Sequence, residues 1–176
     1  MTDTHTLLAA QFRAGRTRRW HANAWLADTN DPVDGHAGRV ARIILALHPA
    51  PSVALLGTAL IHDDGENGET GIGDIPGPVK DGLPADLRAA LDLREGAALA
   101  GLWPVINNWL LDALTLVDQD WLRFADRLDR LIWAAWHRPA LLQREDWLAQ
   151  LTQAEGDAVL LGVDLSVRQL LAEVAQ

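Results

Sequence analysis

The stretch from Ala59 to Lys80 constrains this chain more than any other. An apolar segment, Ala59-Leu60-Ile61, runs into adjacent His62 and Asp63. Asp64, Glu66, Glu69 and Asp74 follow in a glycine-rich loop, then Pro76-Gly77-Pro78, then Lys80, the sole lysine. No packing need accounts for so many carboxylates directly after an apolar segment, whereas a bound cation does. Imidazole beside carboxylate suits a divalent transition metal. Residues 64–78 hold five glycines and two prolines, too many for regular structure. Loops of that length are usually functional or disordered, and the acidic residues with the stiff Ile75-Pro76-Gly77-Pro78 favour function.

A second histidine points toward the same place. His36, Val40, Ile43, Ile44 and Leu47 recur at i, i+4, i+7, i+8 and i+11, one face of a helix. Asp34 is the candidate N-cap of that helix, which is expected to reach about His48. A lone histidine on an apolar stripe is ordinarily a hydrogen-bonded core residue. A second inward histidine beside an aspartate shifts the balance toward ligation. Ser52 is expected to cap the next helix, on which Leu55, Ala59 and His62 share a face. Its negative C-terminal end favours a cation near His62 and Asp63.

The remaining pattern is also helical. Helices are expected over Thr4 to Phe12, Pro84 to about Ala100, Pro104 to Val117, and from Asp118 or Asp120 to Trp136. The helix from Pro84 carries an apolar set of Leu87, Ala90, Leu91, Leu93, Ala97 and Ala98. Asp146 to Leu151 and Val159 to Val174 form a C-terminal helical region, with interruptions expected near Gly156 and Gly162. No strand alternation persists and no repeat occurs. The expected fold is all-α, a compact single-domain bundle of roughly six to eight helices spanning residues 1–176.

Composition narrows the function. A net charge of −9 argues against nonspecific nucleic-acid binding. The absence of cysteine excludes disulfides, thiolate metal sites and a cysteine nucleophile. No apolar run is long enough to span a membrane, and the N-terminus shows no signal peptide, so a cytoplasmic location is the expectation. Arginine outnumbers lysine fourteen to one. Arg13, Arg16, Arg18 and Arg19 fall within seven positions, either a solvated helix face or planar forks gathered for phosphate.

A metal site in a helical core needs a further ligand from a later helix. Asp126 and Asp129 are both candidates, and the pattern leaves the choice open.

The constellation resembles a known family. His36, then His62-Asp63, then an aspartate in Ala125-Asp126-Arg127-Leu128 is similar to the H…HD…D signature of HD-domain phosphohydrolases. Arg19-Trp20 and Gly73-Asp74-Ile75-Pro76-Gly77-Pro78-Val79-Lys80 resemble bacterial 5′-deoxynucleotidases of that superfamily, and also the short phage dATP triphosphohydrolases. The resemblance covers about residues 16–136, with C-terminal helices over 140–176 beyond it.

It implies an HD-type bundle with His36, His62, Asp63 and Asp126 holding a divalent ion (Co, Mn, Zn or Mg), and it selects Asp126 over Asp129. It implies that Glu66 or Glu69 is the general acid/base, with Asp74 a third catalytic residue. Relatives carry one acidic residue three positions after the HD pair and five before the G-D-x-P aspartate. Here Glu66 meets the first spacing and Glu69 the second. Glu66 is the favoured acid, because the preceding helix sets its distance from the ligands. Arg18, Arg19, Trp20, Ala22, Pro78 and Lys80 would bind substrate: the cations neutralise phosphate, and Trp20 offers a flat face, unless it is simply a core residue.

The implied reaction is metal-dependent hydrolysis of 2′-deoxynucleoside phosphates, foremost dATP to deoxyadenosine and triphosphate. A dNMP-hydrolysing 5′-deoxynucleotidase is the alternative, and a non-catalytic nucleotide-binding module a third. A homo-oligomer, dimer or hexamer, is implied, in a host's cytoplasm if the chain is phage-encoded.

Overall fold

A computed structural model describes residues 3–68, 73–75, 79–80, 82–104, 109–110 and 113–176. Among them the backbone is helical, with no strand and one isolated bridge between Arg18 and Pro32. The helices are α1 (Thr4–Gly15), α2 (Val33–Leu47), α3 (Val53–Ile61), α4 (Ala85–Leu102), α5 (Leu116–His137), α6 (Glu145–Leu160) and α7 (Val167–Val174). Short 3₁₀ turns cover Asp64–Glu66 and Pro139–Gln143. No described helix is long and apolar enough to cross a membrane.

The chain divides into two compact units, Met1–Gly38 with Gly57–Ala113, and Arg39–Leu56 with Leu114–Gln176.

In the first unit, α4 packs on the 64–66 turn and on α1. Its buried residues are Ala98 and Leu102, and a Cβ on Gly65 would meet the Glu95 carbonyl oxygen at 2.4 Å and Leu99 Cβ at 3.4 Å. The packing face is therefore 95, 98, 99 and 102; of the expected set Ala98 lies on it, whereas Leu87 and Leu93 do not. Leu87 and Leu93 stay 53% and 75% exposed. Close approach at Gly65 decides the orientation of the helix, since any larger residue there would collide with α4 backbone. Between α1 and α2 the chain doubles back: Arg19 N–H donates to Asp31 O and Val33 N–H to Thr17 O, both at 2.9 Å.

The second unit is built on α5, which packs against α6, α7 and the 139–143 turn. Phe124, Leu128 and Leu131 are fully buried there, as are Val40, Ile44 and Leu55 of the helix segments that belong to this unit. The α2 stripe read from the sequence is thus the buried face, and His36 lies on it with no exposed surface.

Several boundaries differ from the sequence expectation. Asp34 lies inside the first turn of α2, not at its cap, where its charge still favours the helix N-terminus. Ser52 does cap, its Oγ accepting from Leu55 N–H at 3.0 Å. α5 starts at Leu116, earlier than Asp118, because Thr115 and Asp118 form a reciprocal capping box. Gly156 does not interrupt α6; the break comes at Gly162, whose φ of 67° suits glycine. The helix expected over 104–117 lies partly outside the described residues.

Thr115→Ala removes the side-chain acceptor of that box. It should lower stability by about 1 kcal/mol, a fall of about 2–4 °C in Tm for a chain of this length. Thermal unfolding followed by circular dichroism measures it; an unchanged Tm would mean the box contributes nothing.

Candidate metal centre and active site

α3 ends at Ile61, and His62 and Asp63 occupy the turn that follows. His62 Nδ1 is 2.9 Å from the Ala59 carbonyl oxygen. A carbonyl can only accept, so Nδ1 carries the proton and closes one of the open carbonyls at the helix end. That fixes the tautomer: the neutral ring presents the lone pair of Nε2. His62 Nε2 is buried, no hydrogen bond among the described residues reaches it, and it lies 3.3 Å from Asp63 Oδ1. Lone pair facing carboxylate demands a cation between them, either a ring proton or a metal.

His36 completes the arrangement. Its Nε2 is 3.3 Å from Asp63 Oδ2, and the two imidazole centroids are 5.3 Å apart. One carboxylate therefore lies between two imidazoles. Tetrahedral ligands at about 2.0–2.1 Å from a metal lie about 3.3 Å from one another; each imidazole meets that spacing with a different oxygen of Asp63. Burial alone would raise the Asp63 carboxyl, but His62, His36 and Arg19 together hold it well below the usual carboxylate range.

Arg19 is buried, with Nη1 3.4 Å from Asp31 Oδ2 and Nε 4.0 Å from Asp63 Oδ2. Its guanidinium lies 5.1 Å from the centroid of the Trp20 ring. Trp20 is itself buried, its indole N–H donating to Asp31 Oδ2 at 3.0 Å and its backbone N–H to Asp74 Oδ2 at 2.8 Å. Its φ of 63° is costly for an L-residue, and the Asp74 bond holds it there. Asp74 thus closes the turn. Arg18 and Ala22 are exposed, and Arg18 donates to the Ala27 carbonyl oxygen at 2.9 Å.

Glu66 is buried and pairs with Lys80, Nζ to Oε1 at 2.5 Å. Burial and then the Asp63 charge push the Glu66 carboxyl up to about 9, against the pull of Lys80. Lys80, despite burial, is held above the usual ammonium range by Glu66 and Glu95. Asp64, also buried, is raised to about 6 by desolvation while accepting from Trp103 Nε1 at 2.8 Å. Glu69 and Pro78 lie outside the described residues.

The first unit thus brings together His36, His62, Asp63, Arg19, Trp20 and Asp74, with Glu66 and Lys80 paired on the adjoining turn. In the second unit the two candidate aspartates differ. Asp129 is buried and bound on both oxygens by Arg39, Nε to Oδ1 at 2.7 Å and Nη2 to Oδ2 at 3.1 Å. Asp126 is half-buried and pairs with Arg130 one turn on.

Sequence reasoning missed Asp31, Glu95 and Trp103. Asp31 was legible only as turn chemistry before Pro32, and neither Glu95 nor Trp103 stood out within its local pattern. Compared with protein-family models, characterised proteins and solved structures, the chain matches none of them.

Asp129→Ala removes the carboxylate that accepts from Arg39 Nε and Nη2. Removing one partner of a fully buried pair costs about 3–5 kcal/mol, and the 26% exposure of Arg39 reduces this to about 2 kcal/mol. Urea unfolding should show that loss; a variant as stable as the parent would show the pair to be energetically idle.

Proposed function

We propose that the protein is a metal-dependent phosphohydrolase of deoxynucleotides, of the HD-domain type, with dATP cleaved to deoxyadenosine and triphosphate as the leading reaction. The observation that carries the reading is His62. Its Nδ1 is committed to a helix-end carbonyl and its buried Nε2 faces Asp63, which faces His36 in turn. A ligating histidine needs that outer hydrogen bond to fix its tautomer.

His36, His62 and Asp63 would hold the ion, with Asp126 as the fourth ligand by the resemblance. The engagement of both Asp129 oxygens by Arg39 supports preferring Asp126. The ion, when bound, would lower the pKa of water and polarise a phosphoryl oxygen. Glu66 lies three positions beyond Asp63, and its raised carboxyl keeps a proton available near neutral pH. It would deliver that proton to the leaving oxygen as general acid.

Arg19 and Trp20 are held by Asp31 and Asp74, so their positions are set before substrate arrives. Exposed Arg16 and Arg18 flank that clasp and would meet outer phosphates. A second reading, a 5′-deoxynucleotidase acting on dNMPs, is favoured by one observation: Arg19 and Lys80 are already paired with carboxylates, which leaves fewer cations for a triphosphate.

The test is product analysis. The protein is incubated with each dNTP, ATP and each dNMP under Co²⁺, Mn²⁺, Mg²⁺ and Zn²⁺, and products are separated by ion exchange. Intact triphosphate from dATP is expected. Orthophosphate from dNMPs, with dNTPs untouched, would transfer the assignment to the second reading, and no turnover of any nucleotide would reject both.

His36→Ala and Asp126→Asn should each abolish turnover and bound metal together, with metal measured by elemental analysis. Retention of metal by Asp126→Asn would remove it from the ligand set. Glu66→Gln should keep the metal and lose about 10²-fold or more in turnover; an unimpaired Glu66→Gln would move the acid to Glu69.

A further inference from the structure

Glu66 does not face Lys80 alone. Lys80 Nζ also lies 2.9 Å from Glu95 Oε1 and 3.1 Å from Glu95 Oε2. The ammonium, on its flexible stem, donates to one oxygen of each carboxylate, and Glu95 Oε1 stands within ion-pair distance. All three side chains are largely buried. The helix that carries Glu95 grips the Glu66 turn at two other points. The Glu95 carbonyl oxygen fills the space where a Gly65 Cβ would be, and Trp103 donates to Asp64. The backbone leading to Glu66 is thus pressed against α4, and its side chain is reached from the same helix through Lys80.

We propose that Glu95 is a positioning residue: it anchors the Lys80 ammonium against Glu66 and so fixes the orientation of the Glu66 carboxyl. One carboxylate alone would leave a four-carbon stem free to swing. A second, accepting from the ammonium through Oε2 with Oε1 at ion-pair distance, defines where Nζ stands. It follows that Lys80 serves Glu66 rather than the phosphate chain, because its ammonium is committed to two carboxylates. The consequence for turnover rests on the reading of Glu66 as the acid; the anchoring itself does not.

The test uses Lys80 as its own reporter. It is the only lysine, so acylation of the full-length protein modifies one side-chain amine, with the N-terminal amine as internal reference. Lys80 should react slowly in the parent, and Glu95→Gln should raise its rate about tenfold relative to the reference, since losing one carboxylate releases more free amine. Thermal unfolding of Glu95→Gln checks that the gain does not come from an unfolded chain. An unchanged rate in a folded variant overturns the anchoring.

On the deoxynucleotide turned over, Glu95→Gln should lower kcat about tenfold with KM within about twofold, and should have no further effect in a Lys80→Met background. A raised KM at constant kcat, or additive losses, would place Glu95 or Lys80 on the substrate and reject the positioning role. A parent that turns over no nucleotide rejects the reading of Glu66 as acid, while the acylation rates still decide the anchoring.

Discussion

The Asp63 carboxylate lies between two imidazoles, 3.3 Å from each Nε2, with a guanidinium 4.0 Å away. A buried charge is tolerable only when it is paired or hydrogen-bonded, and the first unit repeats that requirement several times. Asp31 is met by Arg19 and the Trp20 indole, Asp74 by the Trp20 backbone, Asp64 by Trp103, and Glu66 by Lys80. Each partner comes from a segment distant in sequence. Satisfying these carboxylates therefore ties the 17–33 clasp, the end of α3, the 64–66 turn and α4 into one unit. The electrostatics that make the cluster unusual also fix its backbone.

Local patterning explains what the sequence revealed. His36 was legible because 36, 40, 43, 44 and 47 share a helical period, and burial at Val40 and Ile44 follows that stripe. His62 and Asp63 were legible as polar residues stopping an apolar run. Asp31 and Glu95 carry no such signal. Their work is pairing across 12 and 15 positions with Arg19 and Lys80, and a pairing of charges has no periodicity. Asp126 and Asp129 show the same limit: the helical wheel made both plausible, and the distinction lies in Arg39, on another helix. The misjudged face of α4 has a different cause. Counting apolar side chains favoured Leu87 and Leu93, whereas the close approach at Gly65 selected a face of small and mixed residues, a backbone constraint that hydrophobicity does not record.

Charge balance in this cluster bears on which ligand it can accept. Asp31, Asp63, Asp64, Glu66, Asp74 and Glu95 supply six carboxylates, against two fixed cations, Arg19 and Lys80, that contact them. Raised Glu66 removes one of those negative charges at neutral pH, but the remainder still repels a phosphate. A nucleotide brings two or more negative charges of its own, and inside a low-dielectric site like charges a few ångströms apart are strongly unfavourable. Phosphate chemistry at this place would therefore require a positive charge beyond those of Arg19 and Lys80. The arrangement of His36, His62 and Asp63 is where a divalent ion would supply it. On the proposed reading metal and substrate binding would be linked: each would lower the electrostatic cost of the other, and the acidity of the cluster, which at first speaks against an anionic ligand, would become the reason that the ion is needed.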